Sequence, residues 1–193
     1  IDFSNQHFYA GNLALIPDRE ILNRQEPAIR FVKVDGIWEN NCNEKEADKV
    51  TELVFELFKQ AKDKTIGIVS FNARQQELIL DTLESRALSD GVSLPDKLFV
   101  KNIENVQGDE RDIIIFSLTH GPDKTGKMAM QFGSLNVVRG ENRLNVAVTR
   151  ARERIYLLSS FYPQEMNTEH LRNEGPRLLQ KYLEYAMQVS GGD

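Results

Sequence analysis

Gly140-Glu-Asn-Arg-Leu-Asn-Val-Ala-Val-Thr-Arg-Ala-Arg-Glu-Arg154 runs without a break into the apolar segment Ile155-Tyr-Leu-Leu-Ser-Ser160. Read as a helix, the first part puts Leu144, Ala147, Val148 and Ala151 at i, i+3, i+4 and i+7, a single buried stripe. That stripe sets the rotation of the helix. At about 100° per residue, Arg143 and Arg150 then share one edge while Asn145 and Arg152 lie along the other. Two guanidinium groups are expected about two turns apart, held by a packed face. Arginine suits phosphate because its planar fork stays charged and can grip two oxygens. Periodicity alone also fits a basic helix whose arginine edge is merely solvated. The apolar segment that follows reads as a buried strand, so the stretch is a helix feeding a sheet.

Around it, the pattern repeats. Ile29-Arg-Phe-Val-Lys-Val34 is rich in β-branched and aromatic residues and predicts a strand. Asn43-Glu-Lys-Glu46 has the spacing of a capping box, opening a helix with Ala47, Val50, Leu53, Val54, Leu57, Phe58 and Ala61 on one face. Ile66-Gly-Ile-Val-Ser70 is a short buried strand, Asn72 a cap, and Ala73 to Leu88 a second helix. A loop with Gly91 and Pro95 leads to Leu98-Phe-Val-Lys-Asn102, and Ile113-Ile-Ile-Phe-Ser-Leu118 has the unbroken apolar character of a strand covered on both faces. Gly175-Pro176 opens a last helix with Leu178, Leu179, Tyr182, Tyr185 and Ala186 on its packing side. The opening Asp2-Phe-Ser-Asn-Gln-His-Phe-Tyr9 predicts a short helix stopped by Gly11, and Ser190-Gly-Gly-Asp193 a frayed end. This order predicts an α/β fold, a mostly parallel sheet with helices on both faces. One domain is expected over 1–193, with an entry segment 1–28, a sheet core 29–160 and a helical appendage 161–193. In such sheets function collects beyond the carboxyl ends of the strands, where Ser70 to Asn72, Asn105 to Asp112 and the residues after Ser117 are expected.

Composition narrows the possibilities. The chain has 193 residues, of which 40% are apolar, enough for a real core. Its net charge of −5 argues against coating nucleic acid through a bulk field. Any phosphate grip must be local, and Arg139, Arg143, Arg150, Arg152 and Arg154 supply a cluster. The single cysteine, Cys42, excludes an internal disulfide and a Cys-built zinc site, and fits a reducing, cytoplasmic setting. No apolar run reaches membrane-spanning length. The first residue, Ile1, falls within helix-like sequence, which suggests a piece of something larger.

Several segments could carry chemistry. Gly121-Pro-Asp-Lys-Thr-Gly126-Lys127 follows a strand and matches the start of a phosphate-binding loop, but Met128 stands where the magnesium-binding hydroxyl belongs. Phe132-Gly133 leaves no room for the helix whose N-terminus should face phosphate, so the reading is rejected. Val106-Gln-Gly-Asp-Glu-Arg-Asp112 is either a charged turn or a polar functional loop. Ser70-Phe-Asn72 could hold a phosphate, or Asn72 could only cap the next helix. His7, His120 and His170 have no ligand spacing, and no metal site is expected.

Taken in order, three segments resemble the C-terminal RecA-like domain of superfamily 1 helicases, in the branch that includes the nonsense-mediated-decay RNA helicase. Ile66-Gly-Ile-Val-Ser-Phe-Asn-Ala-Arg-Gln-Gln76 resembles motif IV, Asn105-Val-Gln-Gly-Asp-Glu-Arg-Asp-Ile-Ile-Ile115 motif V, and Arg143-Leu-Asn-Val-Ala-Val-Thr-Arg-Ala-Arg152 motif VI. The motif V wording with Phe132-Gly-Ser-Leu-Asn136 is also similar to large bacterial helicase-like proteins, and Asp2 to Gly11 resembles the stretch after motif IIIa. The resemblance implies a P-loop NTPase fold without its own phosphate loop. ATP would lie between this domain and an N-terminal RecA-like domain that holds most of the Mg2+ shell. It implies Arg150 as an arginine finger, Arg143 supporting it, and Gln107, Gly108 and Glu110 sensing nucleotide. It also implies contacts from Ser70, Asn72, Ser117 and Thr119 to single-stranded DNA or RNA, although the family's usual Thr-Pro-Tyr is Ser70-Phe-Asn72 here. The expected activity is ATP-driven movement, 5′ to 3′, with the isolated chain inactive. The alternative is a non-catalytic nucleic-acid-binding or scaffold module that keeps the fold.

Overall fold

The computed structural model describes residues 2–8 and 27–191. The expected helix stop at Tyr9 to Gly11 and the last two residues lie outside them. The described elements are α1 (Asp2–Phe8), β1 (Ile29–Lys33), α2 (Glu44–Gln60), β2 (Ile66–Ser70), α3 (Ala73–Asp90), β3 (Phe99–Asn102), β4 (Arg111–Ser117), α4 (Gly140–Val148), β5 (Ala151–Ser159) and α5 (Glu174–Ser190). Single 3-10 turns at Gly133–Asn136 and Pro163–Glu165 join them.

All five strands are parallel, in the order β1-β5-β4-β2-β3. Alternation along β4 explains its continuous apolar run. Ile114 and Phe116 enter the core beneath α1, α4 and α5, whereas Ile113 and Ile115 enter the core beneath α2 and α3. Both faces are therefore dry. The expected α/β sheet with helices on both faces is the observed one.

Two local expectations change. The stripe on α2 is rotated from the one foreseen: Thr51 and Phe55 are buried, while Leu53 and Phe58 lie half-buried at its margin. More consequentially, the helix expected to reach Arg154 ends at Val148. Thr149 N–H bonds Asn145 O at 3.2 Å and Arg150 N–H bonds Ala147 O at 3.1 Å, closing a tight last turn. From Ala151 onward the backbone joins β4 instead, with Arg111 N–H donating to Arg150 O at 3.1 Å. A ladder to a buried strand outcompetes helix propensity at the chain's most arginine-rich point. Arg143 and Arg150 thus do not share a helical edge. Arg150 occupies the bend, and Arg152 and Arg154 lie within the first residues of β5, along its ladder to β4.

Candidate functional site

The bend after α4 is where motif VI meets motif V. The segment after β3 leaves the carboxyl edge, where Ile103 N–H bonds Ser70 O at 2.9 Å, and crosses the sheet face with Val106 fully buried. It delivers Glu110 to Asp112 to the amino edge of β4, beside Arg150. This corrects the expectation that Asn105 to Asp112 sit together on the carboxyl rim: β3 and β4 run parallel, so the connection between them must return across the sheet to the amino edge. Gln107 and Gly108 are exposed in a turn that needs the left-handed φ of +85° at Gly108.

Arg150 is half-buried. Its Nε donates to Val146 O at 2.9 Å and its Nη2 to Thr149 Oγ1 at 3.1 Å. Both acceptors are neutral and belong to the C-terminal turn of α4, whose free carbonyls attract cations. A guanidinium has five N–H donors, and those two bonds leave three without a protein partner among the described residues. Its neighbour Arg152 differs, since it is exposed and pairs with Glu110 at 3.3 Å. Arg143 donates to Ser134 O at 3.1 Å, also a neutral acceptor. Arg150 is therefore fixed in place without being neutralised.

The carboxyl edge holds a different arrangement. Ser70, Ser117 and Thr119 are fully buried. Ser70 Oγ donates to Asn72 O at 2.8 Å, and Ser117 Oγ to Glu46 at 2.7 Å. Thr119 takes a left-handed φ of +71°, costly for a β-branched residue, and its N–H bonds Glu46 at 2.7 Å. The side chains of these three residues, expected to face a strand, turn to the interior of this domain: Ser117 Oγ and Thr119 N–H supply donors to the buried Glu46 carboxyl, and Ser70 Oγ supplies one to the Asn72 carbonyl. Only Asn72 is partly accessible, and it caps α3 by accepting from Gln75 N–H at 2.8 Å.

Sequence reasoning saw Glu46 only as a capping residue. Asn43 does accept from Glu46 N–H at 3.2 Å, but the reciprocal bond to Asn43 N–H comes from Gln75 Oε1 at 2.8 Å. The Glu46 carboxyl instead accepts from Ser117, Thr119, Ser160 Oγ at 2.9 Å and Asn43 Nδ2 at 3.4 Å. Complete burial pushes its pKa up to about 7, against the lowering effect of those hydrogen bonds. The available signal was one acid and the hydroxyls Ser117 and Ser160 at the ends of two strands, which only the fold brings together.

The rejected phosphate loop stays rejected. The Asp123 carboxylate fills it, accepting from Thr125 N–H and Oγ1 and from Lys127 N–H at 2.6 to 3.0 Å, so an anion would meet like charge. The described residues contain no cluster of His, Cys, Asp or Glu suited to a metal, and no helix among them is long and apolar enough to cross a membrane.

Comparison with known proteins agrees with the motifs. A family model described as an AAA domain matches residues 1–161. An uncharacterized ATP-dependent helicase homolog of Mycoplasma pneumoniae is 39% identical over 96% of this chain and 17% of its own length. Its counterpart in Mycoplasma genitalium is 40% identical over 100% of this chain and 18% of its own. The probable RNA helicase armi of Drosophila melanogaster is 37% identical over 45% of this chain and 7% of its own. This chain thus spans less than a fifth of the curated relatives it matches. With three motifs in order on a parallel RecA-like sheet, the chain belongs to the AAA-domain family as a C-terminal RecA-like domain of the superfamily 1 helicase type.

Proposed function

We propose that this domain is one half of an ATP-driven motor that moves 5′ to 3′ on single-stranded nucleic acid, with Arg150 as its arginine finger. The observation that carries the reading is the state of that guanidinium: anchored by neutral acceptors, paired with no carboxylate, and joined through its own carbonyl to the start of β4. An N-terminal RecA-like lobe would supply the phosphate loop and most of the Mg2+ shell, which this chain cannot, given the carboxylate inside its Gly121 loop. ATP bound between the lobes would supply the phosphoryl group. Arg150 would present its free N–H donors to the terminal phosphate, where charge develops in the transition state. Arg143 would stiffen α4 against the 3-10 turn that carries Ser134. Gln107, Gly108 and Glu110 lead directly into β4, so a shift of that loop on nucleotide binding would move the same strand that Arg150 holds.

In the protein that joins this domain to a phosphate-loop lobe, Arg150→Ala should lower strand-stimulated ATP hydrolysis by about 10³-fold or more. ATP affinity should stay within a few fold. Arg150→Lys should not restore the rate, because an ammonium lacks the fork and its reach. Turnover equal to the parent's would remove Arg150 from the reaction.

A further inference from the structure

With Ser70, Ser117 and Thr119 sealed inside, a strand crossing the carboxyl edge needs other partners. Just above the Glu46 network lies a cavity of about 360 Å³ bordered by Trp38, Asn41, Asn72, Arg74, His120 and Gln131. Its volume is in the range of small-molecule sites. Trp38 is half-buried and stacks on His120 with ring centroids 5.7 Å apart and planes 28° apart. His120 in turn meets Phe132 edge-on at 5.2 Å. The backbone is pinned as well, since Trp38 N–H bonds Pro122 O at 3.0 Å. The indole is therefore a braced, flat wall rather than a loose surface ring. Its own N–H is buried with no acceptor among the described residues, so the ring offers the cavity an apolar face.

On the other side of the cavity, Asn72 and Arg74 open α3. Asn41 and Gln131 are exposed amides at the mouth, and Arg74 is exposed, paired with Glu77 at 3.0 Å. An exposed pair of that kind is easily exchanged for a phosphate. An aromatic platform, side-chain amides and a cation within one small cavity match the parts of a nucleotide: a flat base, its polar edge and its phosphate.

We propose that this cavity is a subsite for one nucleotide unit of a single strand, its base against Trp38 and its phosphate at Arg74. The proposal rests on the reading of the chain as half of a strand-tracking motor and assigns that reading a concrete contact. Stacking is sequence-tolerant, because every base has a π-face, so the subsite would hold thymine, uracil or adenine alike. This is what a motor that steps along any sequence requires.

Trp38 is the only tryptophan of the chain, so its emission reports on this cavity alone. The test titrates this chain with labelled oligo(dT) and oligo(rU) of about twelve units, and with an abasic backbone of the same length, following indole emission and label anisotropy together. Both base-bearing strands are expected to quench the indole. The abasic strand should leave emission unchanged and bind at least about fivefold more weakly. Trp38→Leu should lose that difference, Trp38→Phe should keep most of it, and Arg74→Ala should weaken all three strands. Strand binding with unchanged indole emission, and with Trp38→Leu at the parent's affinity, would overturn the subsite while leaving the motor reading in place. If the folded parent bound none of the strands, the strand-tracking reading of this domain would fall, and the subsite with it.

Discussion

Glu46 shows how one side chain can set a property of the whole rim. It is a carboxyl completely removed from water, and every group around its oxygens is a donor. Its pKa rises from 4.5 to about 7 in the fold, so between those values the folded chain holds a proton that the unfolded chain releases. Stability therefore falls as pH rises across that window, by about 3 kcal/mol in total, and the loss is complete above it. His120 works in the opposite sense. Burial lowers its pKa below the usual 6.5, so the unfolded chain takes up a proton that the folded one refuses, and stability falls as pH drops. Urea unfolding of the parent and of Glu46→Gln at several pH values from 4.5 to 8 separates the two. The stability difference, parent minus variant, should decline by about 3 kcal/mol from the acid to the alkaline end. A constant difference would mean that Glu46 does not titrate in the fold.

At the scale of elements, the position of α4 depends on two glycines and one carbonyl. A Cβ at Gly140 would lie 2.4 Å from Leu135 O, and one at Gly175 would lie 2.1 Å from the same atom. The first turns of α4 and α5 thus close on the 3-10 turn at Gly133–Asn136, and Asn173 adds a side-chain bond to Asn136 O. Because the contacted atom is backbone, it cannot swing aside. Gly175→Ala should cost about 2 kcal/mol and lower the melting temperature by roughly 5 °C. In the two-lobed protein it should also reduce strand-stimulated hydrolysis, because α4 carries the turn that anchors Arg150. A variant with the parent's melting curve would show that the turn has room to move. The sequence displayed α4 clearly at its start, where Leu144, Ala147 and Val148 lie on one face. Its end was not legible, because Ala151 continues the helical stripe and fits a strand equally well.

For the molecule as a whole, charge bounds the way it can hold a strand. The net charge is −5, so no bulk positive field draws a strand in, and any grip on phosphate must be local. Binding of a single strand to this domain should depend only mildly on salt, with a slope of log K against log salt of about −1 to −2. Measuring affinity at several salt concentrations checks this, and a slope steeper than about −5 would point to an extended basic track instead. Sequence alone determined the α/β class and the order of the strands and helices, since these depend on local periodicity and short spacing, while resemblance to the helicases placed Arg143, Arg150 and Gln107 to Glu110 in two motifs. Only the tertiary structure decided that Arg150 sits in a bend rather than on a helix, and that motif V ends at the amino edge of the sheet. It also decided that Ser117 and Thr119 face Glu46, and that Ser70 turns inward to the Asn72 carbonyl, instead of facing solvent. These outcomes follow from parallel strand pairing and from an acid's need for donors once water is gone, and both join residues too distant in the chain for local sequence to connect.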